Sequence, residues 1–235
     1  MNLIIFVKVL HKNYYHCNMQ DNSKVIDELI DKRRSVRIYD DSEPLNDVVV
    51  RKCLERATLA PSSDNLQLWE FYRVKSKNKL QELAKYCYGQ KAASTAQELV
   101  VFVTRTDKWQ ERAEFNLEEI KKGFPKEITN KEQKVIDYYE KSIAQLYSGN
   151  EAKAEIRIIA HKSCALAAQM FMLSIAAEGF DTCPMEGFQE ELVKQFLNLP
   201  DIAEICMVIS VGKAKPEGIY NRRIRVPNDA VIFEI

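Results

Sequence analysis

The chain has 235 residues, of which 46% are hydrophobic and 29% are charged, with 34 basic residues against 34 acidic ones. This length is enough for one large or two small domains with a real hydrophobic core. The balanced charge argues against nucleic acid or an anionic membrane as a partner, and it favours a small molecule or a second copy of the chain.

The first residues differ in character from the rest of the chain. Residues 1–10 are apolar with a single lysine, but they lack the basic start and the small-residue cleavage site of a secretory leader. We interpret residues 1–22 as an extension that is poorly ordered or lies before the natural start, with Met19 as the alternative first residue. Residues 23–235 are interpreted as one domain.

Apolar spacing and turn residues predict the elements of this domain in chain order. Ser23 is the expected N-cap of the first helix. The predicted elements are a helix from Ser23 to the Arg33–Arg37 cluster, a helix at Leu45–Leu59, a polar loop at Ala60–Trp69, a strand at Glu70–Lys75, a helix at Leu80–Tyr88, a strand at Leu99–Thr104, a charged and tyrosine-rich helical segment at Arg105–Lys153, a helix at Glu155–Gly179, and strands at Ile205–Gly212 and Ala230–Ile235. The segment Arg105–Lys153 is expected to form either a mobile cover or an outer helical layer. Strands mixed with long helices, without regular alternation, favour the α+β class.

The helix predicted at Glu155–Gly179 is apolar on almost all sides. Its uninterrupted apolar part is shorter than the roughly 20 residues needed to cross a bilayer, so we expect no membrane span. A helix of this kind in a globular protein lies in the core or at a subunit interface. Its alanines allow close approach of another helix, which favours a homodimer.

Cysteine and histidine usage limits the possible chemistry. The six cysteines contain no C-x-x-C pair, which is typical of reduced thiols in a cytoplasmic protein. The three histidines have no metal-ligand spacing, so no metal site is predicted. There is also no G-x-S-x-G nucleophile motif, which argues against a hydrolase of that type.

Glycine is scarce, with seven residues and neither a G-x-G-x-x-G nor a P-loop pattern. Such a chain cannot easily surround a phosphate with backbone amides, so guanidinium side chains must hold any phosphate it binds. Two arginine clusters, Arg33–Arg37 and Arg222–Arg225, could do so from opposite ends of the chain. This pattern indicates a mononucleotide cofactor.

Four segments, taken in order, resemble the successive motifs of the FMN-dependent nitroreductase family. They are Arg33–Arg37, Ala60–Trp69, Pro184–Phe188 and Arg223–Pro227, and the resemblance extends over about residues 24–228. It implies a nitroreductase-like fold, in which helices flank a central, mainly antiparallel sheet. It also implies a homodimer with FMN at the subunit interface and a C-terminal strand exchanged with the partner subunit.

The resemblance also assigns residues to the cofactor. Arg33 and Arg225 would hold the phosphate, while Arg34 and Ser35 line the same end of the site. At the other end, Arg37 and Arg223 would approach the pyrimidine edge of the flavin. The remaining implied residues are Asn65 and Gln67 at the polar rim, Ser62 and Ser63 from the partner subunit, and Pro184, Met185, Glu186 and Gly187 beside the flavin N5.

The implied activity is that of an oxidoreductase that takes hydride from NADH or NADPH and reduces a nitroaromatic, a quinone or a similar small acceptor by a ping-pong mechanism. No catalytic acid or base is expected from the protein. Two alternatives stay open: a relative that carries out reductive dehalogenation or flavin fragmentation, and a flavin-binding dimer without turnover. One departure from the family pattern is Leu68, which stands where relatives usually have proline.

Overall fold

The computed structural model describes residues 19–148 and 153–235, so residues 1–18 of the predicted extension lie outside the described residues. The first helix, α1, spans Met19–Lys32. Ser23 therefore lies inside this helix, and its prediction as the N-cap was wrong. Residues 19–22 likewise belong to the helix rather than to the extension. The first arginine cluster does follow the end of a helix, as predicted.

The predicted elements between residues 45 and 212 are present in the predicted order, with ends shifted by a few residues. The helices are α2 (Asp47–Ala57), α3 (Lys77–Tyr86), α4 (Lys91–Ser94), α5 (Trp109–Lys121), α6 (Asn130–Asp137), α7 (Ala144–Ser148), α8 (Lys153–Ala177) and α9 (Glu190–Leu197), with a π-helical segment at Tyr138–Ile143. The strands are β1 (Tyr39–Asp40), β2 (Trp69–Val74), β3 (Glu98–Thr104), β4 (Asp181–Met185) and β5 (Glu204–Ala214). The structure adds two short helices and two strands that were not predicted: α4, α9, β1 and β4.

The five described strands form one sheet whose strand pairs are all antiparallel, which confirms the predicted α+β architecture. Strand β5 is central and pairs with β1, β3 and β4. All seven residues of β3 are buried, as expected for an inner strand covered on both faces. Because Met185 pairs with Val208, the chain leaves the sheet at residue 186.

Helix α8 is the core helix. Cys164, Ala168 and Phe171 are fully buried and pack against sheet residues such as Phe102 and Ile209. Among the described helices, the stretch Ala154–Ala177 is long and apolar enough to cross a membrane by composition, but half of it is buried inside the protein. Burial against the sheet thus explains the apolar side chains on this side of α8.

The segment after β3 is helical and forms an outer layer, as predicted. Its helices enclose a small apolar cluster that contains Leu66, Leu68, Ile143 and Tyr147. Leu68 is only 3% exposed in this cluster. Leu68 therefore contributes apolar packing to this cluster.

The predicted strand at the C-terminus is absent from the single chain. A 3₁₀ turn covers Asn228–Ala230, and residues 231–235 form no regular structure. Val231, Ile232 and Phe233 are all more than half exposed, with Phe233 at 75%. The predicted exchange of this segment with the sheet of a partner subunit stays a prediction.

Gly218 lets the start of the C-terminal segment pack closely against the backbone of Ile38. A Cβ atom at this position would lie 2.4 Å from the Ile38 carbonyl oxygen, far inside van der Waals contact. We expect Gly218→Ala to lower the free energy of unfolding in urea by about 1–3 kcal/mol, because the backbone must move to relieve the overlap. Gly123→Ala is the matched control, since its Cβ would meet nothing closer than 3.5 Å. Equal losses in both variants would contradict this.

Candidate cofactor site

The two arginine clusters meet at one cavity. The cavity has a volume of about 310 Å³ and is lined by residues of two chain segments. The lining residues are Arg33, Arg34, Ser35 and Arg37 after helix α1, and Ile219, Tyr220, Asn221, Arg222, Arg223, Ile224 and Arg225 near the C-terminus. Six guanidinium groups therefore surround a space large enough for a phosphate and part of the group that carries it.

Backbone hydrogen bonds hold the two segments together. The Val36 amide donates to the Thr182 carbonyl at 3.0 Å, which attaches the first cluster to β4. The Arg37 amide donates to the Gly218 carbonyl at 2.9 Å, which brings in the second segment. The Arg34 guanidinium also donates to the Asn221 carbonyl. The arrangement of the arginines is thus set by main-chain contacts that reach across nearly the whole sequence.

The charges in this cavity repel one another. The pKa of Arg33 is lowered by partial burial and by the nearby guanidinium groups of Arg223, Arg225 and Arg34. This guanidinium is only partly shielded from water, so the repulsion is moderated by solvent. An anion placed among these groups would remove the repulsion and accept charge-assisted hydrogen bonds from them.

Arg223 has a different role from the one predicted for it. Its guanidinium donates to the Ile30 and Asp31 carbonyls at 2.8 Å, to the Arg33 carbonyl at 3.1 Å and to Asp31 Oδ1 at 2.9 Å. These carbonyls belong to the end of α1, where a cation is stabilised by unpaired carbonyl groups. The placement of Arg223 at the pyrimidine edge is therefore corrected: it binds the helix end and anchors the C-terminal segment.

Arg37 lies between this cavity and a second one. The second cavity has a volume of about 350 Å³. It is lined by Arg37, Gln90, Lys91, Ala92, Cys183, Pro184, Met185, Glu186 and Tyr220. Arg37 stacks on the Tyr220 ring, with its guanidinium carbon 5.2 Å from the ring centroid, and donates to the Ser35 carbonyl at 3.3 Å. Among residues 19–148 and 153–235, no carboxylate forms a salt bridge with this guanidinium.

The segment after β4 is positioned by the turn that precedes α4. Gln90 donates through Nε2 to the Gly187 carbonyl at 2.7 Å and to the Cys87 carbonyl at 3.1 Å. The Gln189 amide donates to the Tyr86 carbonyl at 2.8 Å. The Met185 side chain is only 4% exposed and packs in the core, whereas Glu186 and Gly187 are exposed. The backbone around Gly187 is therefore rigidly supported beside the second cavity.

The loop that carries the Ser/Asn motif has unusual backbone geometry. Asp64, Asn65 and Gln67 have φ angles of 52°, 55° and 49°, in the left-handed region. Each such residue is typically strained by about 1–3 kcal/mol, and sites of this kind concentrate at functional positions. Asn116 donates to the Asn65 carbonyl at 2.7 Å, and the Gln67 amide donates to Ser62 Oγ at 3.1 Å. The surrounding structure thus holds the loop in this conformation.

The hydroxyl groups of Tyr138 and Tyr147 both donate to the Asp64 carboxylate, the second at 2.9 Å. This hydrogen bonding raises the pKa of Tyr138 to about 12, and burial together with the same bond raises that of Tyr147 to about 12. The outer helical layer therefore anchors the loop through its tyrosines.

The predicted site residues form two groups in one chain. Ser62 and Ser63 line a depression of about 280 Å³ together with Lys162 and Leu166 of α8. Asn65 and Gln67 contact each other through Gln67 Nε2 and Asn65 Oδ1 at 3.3 Å. None of these four residues lines either of the two cavities around Arg37. The single chain therefore brings the arginines close to residues 184–187, whereas the loop with Ser62, Ser63, Asn65 and Gln67 lies elsewhere.

Sequence reasoning missed several residues that shape the site: Asp31, Gln90, Asn116, Tyr220 and Asn221. They act mainly through contacts with residues distant in sequence, so no local spacing marks them. Only Tyr220 could have been found from the sequence, because an aromatic residue three positions before Arg223 is a candidate to pack against an arginine of the second cluster.

Comparisons with known proteins identify the family of the chain. The sequence model of the nitroreductase family matches residues 30–213. A Bacillus subtilis relative whose name includes the words NAD(P)H nitroreductase MhqN is 29% identical over 201 residues, covering 85% of this chain and 93% of the relative. The chain belongs to the nitroreductase family.

Solved structures share the fold over almost the whole chain. The Bacillus subtilis nitroreductase-type protein ydfN has a TM-score of 0.79 and 29% identity, and it covers 93% of this chain and 100% of its own. A protein from Exiguobacterium sibiricum, described as a nitroreductase in complex with FMN, has a TM-score of 0.71 and 26% identity. It covers 88% of this chain and 96% of its own.

Proposed function

We propose that the protein is an FMN-dependent oxidoreductase that takes hydride from NADH or NADPH and reduces a small acceptor such as a nitroaromatic or a quinone. The observation that carries the proposal is the meeting of six arginines from both ends of the chain at one cavity, within a nitroreductase fold. The FMN held by the Exiguobacterium sibiricum protein and the NAD(P)H in the name of the Bacillus subtilis relative support the choice of cofactor and donor.

The residues present fit a flavin mononucleotide. The cationic cavity suits a phosphate, because guanidinium groups offer paired donors to phosphate oxygens and the lowered pKa of Arg33 marks repulsion that an anion would relieve. Arg33 and Arg225 would bind the phosphate, with Ser35 beside them. Arg34 would act on this end mainly through its contact with the Asn221 carbonyl.

The second cavity suits the flavin ring. FMN, when bound, supplies the two-electron redox chemistry that passes hydride from donor to acceptor. Arg37, fixed by Tyr220 and the Ser35 carbonyl, would place a positive charge at the pyrimidine edge. A cation already in position stabilises negative charge that develops there without reorganising. Gln90 would hold the backbone of Gly187 beside the ring through the 2.7 Å contact to its carbonyl.

The donor and the acceptor would use the same space in turn, which is the basis for the proposed ping-pong mechanism. The chain has no dinucleotide-binding motif, and the nicotinamide would need only to contact the ring for the duration of transfer. The protein's contribution is therefore positioning and charge. We propose a cytoplasmic location, supported by the free state of the five described cysteines, of which four are buried.

We propose that a second subunit completes the site. The strained loop with Ser62, Ser63, Asn65 and Gln67 would come from the partner, since it lies outside the arginine cavity of its own chain. The loop borders the outer face of α8, where Ile158 and Leu166 are 55% and 51% exposed. Together with the exposed C-terminal segment, these apolar surfaces are suited to burial between two copies.

The proposed function is tested by recording the absorbance spectrum of the purified protein, then adding NADH or NADPH without oxygen. We expect a flavin spectrum that bleaches with at least one donor, because hydride transfer reduces the flavin, and that returns when a quinone or nitroaromatic is added. Heat-released cofactor should be FMN by chromatography. A colourless protein that does not bind added FMN, or a flavin that stays oxidised with both donors, would contradict the proposal.

Deletion of residues 229–235 tests the proposed dimer. We expect the truncated protein to lose both dimerisation and FMN retention, because the exposed Val231, Ile232 and Phe233 side chains would no longer be buried against the partner. Burying one such side chain stabilises by about 1.5–3 kcal/mol. Light scattering and flavin content report the two properties, and Glu234→Ala is the control. A truncated protein that stays dimeric and fully flavinated would show the proposal to be wrong.

A further inference from the structure

More guanidinium groups line the arginine cavity than a single phosphate needs. Six arginines line it, and in the proposed function Arg33 and Arg225 bind the FMN phosphate. Arg223 is paired with the Asp31 carboxylate at 2.9 Å and is bound to carbonyl groups at the end of α1. Arg222 has no part in either set of contacts. Its charge therefore stays free for another ligand.

Arg222 is exposed to solvent while its main chain is held at the cavity. In the part of the chain that the structure describes, its guanidinium forms neither a salt bridge nor a hydrogen bond, whereas Arg34 and Arg225 each donate to a backbone carbonyl. The neighbouring Arg223 is fixed to the end of α1, which limits the movement of this segment. An exposed guanidinium on a fixed main chain is suited to an anion that arrives from solvent.

The positive charge at this cavity exceeds the charge of one phosphate. Of the six lining arginines, Arg223 alone has a carboxylate partner among the described residues, so five charges have none. The described lining of the cavity also contains no aspartate or glutamate. A phosphate monoester carries about 1.5–2 negative charges at pH 7. A local positive potential would therefore persist with the FMN phosphate in place.

This charge lies next to the space proposed for the flavin ring. Arg37 and Tyr220 line both the arginine cavity and the ring cavity, so the two spaces adjoin at these residues. The ring cavity also contains Lys91 and Glu186, whose opposite charges offset each other. A dinucleotide whose nicotinamide contacts the ring must extend past the mouth of the ring cavity. On the side of Arg37 and Tyr220, it would meet the arginines.

We propose that Arg222 and the excess charge around it recognise the 2′-phosphate of NADPH, so that the protein uses NADPH in preference to NADH. This inference rests on the proposed function and names the donor for that activity. NADPH differs from NADH by this phosphate, which adds about 1.5–2 negative charges. Arginine is a common partner of the 2′-phosphate in proteins that bind NADP. Because the chain has no dinucleotide-binding motif, we assign the recognition to side-chain charge.

The charge acts on the encounter as well as on the bound complex. An attractive local field raises the rate at which an oppositely charged ligand arrives, and added salt weakens this effect. The whole chain has 34 basic and 34 acidic residues, so its net charge gives no general attraction for anions. A dependence of the rate on donor charge would therefore report local charge at the site.

The first measurement follows flavin bleaching of the FMN-loaded protein by stopped flow without oxygen. The donors are NADPH, NADH and the uncharged N-benzyl-dihydronicotinamide. We expect the second-order rate constant at low salt to be roughly tenfold higher for NADPH than for NADH. The gap should close as ionic strength rises, because the Debye length falls from about 30 Å at 0.01 M to about 3 Å at 1 M. The rate with the uncharged donor should not change with salt.

The second measurement reports binding alone. NADP⁺ and NAD⁺ are titrated into the oxidised, FMN-loaded protein, and the change in the flavin absorbance spectrum gives each dissociation constant. In Arg222→Gln, we expect the affinity for NADP⁺ to fall about tenfold, equivalent to one charge-assisted hydrogen bond, while the affinity for NAD⁺ is nearly unchanged. Arg51→Gln is the matched control, because it removes the same charge from an exposed arginine on α2 that lines neither cavity.

The donor inference and the proposed function fail in different ways. The donor inference is overturned, and the proposed function stands, if the uncharged donor bleaches the flavin but NADPH and NADH react equally fast at low salt. It is also overturned if Arg222→Gln keeps the full preference for NADP⁺, or if Arg51→Gln loses as much of it. If none of the three donors bleaches the flavin, the proposed function fails and the donor inference fails with it.

Discussion

Repulsion among guanidinium groups at one cavity is the constraint around which the site is built. The fold holds these charges together by attaching the two chain segments elsewhere. Arg223 binds the carbonyl groups at the end of α1, 190 residues away in sequence from the Arg33 carbonyl that it contacts. The Val36 and Arg37 amides add main-chain hydrogen bonds to Thr182 and Gly218. Structural contacts thus keep the remaining arginines in place for an anion that would neutralise them.

In the proposed dimer, each chain offers only part of the site. The arginine cavity and the cavity beside Gly187 meet at Arg37, but the strained loop from Ser62 to Gln67 is turned toward α8. Keeping three residues in the left-handed region requires support, which Asn116 and the two tyrosines bound to Asp64 provide. Such support is reasonable for a loop whose polar groups serve a neighbouring subunit. The exposed apolar residues at the C-terminus fit the same proposal.

The sequence predicted what depends on local pattern and missed what depends on distant contacts. The buried strand β3 and the core helix α8 were found because their apolar runs are long and uninterrupted. The arginine clusters were found because a glycine-poor chain has few other ways to bind phosphate. The role of Arg223 could not be predicted, since it is set by the carbonyl groups of a helix end. The N-cap was wrongly predicted at Ser23 because helix α1 already begins at Met19.

The central claim is that arginines from both chain ends bind the phosphate of the cofactor. It is tested most directly by titrating the flavin-free protein with FMN and with riboflavin, which differ only in that phosphate. Two charge-assisted contacts, each contributing about 1.5–3 kcal/mol, predict that FMN binds roughly 10²–10⁴-fold more tightly. The Arg225→Ala variant should lose affinity for FMN while its affinity for riboflavin is unchanged. Equal affinities for FMN and riboflavin in the unsubstituted protein would contradict the account.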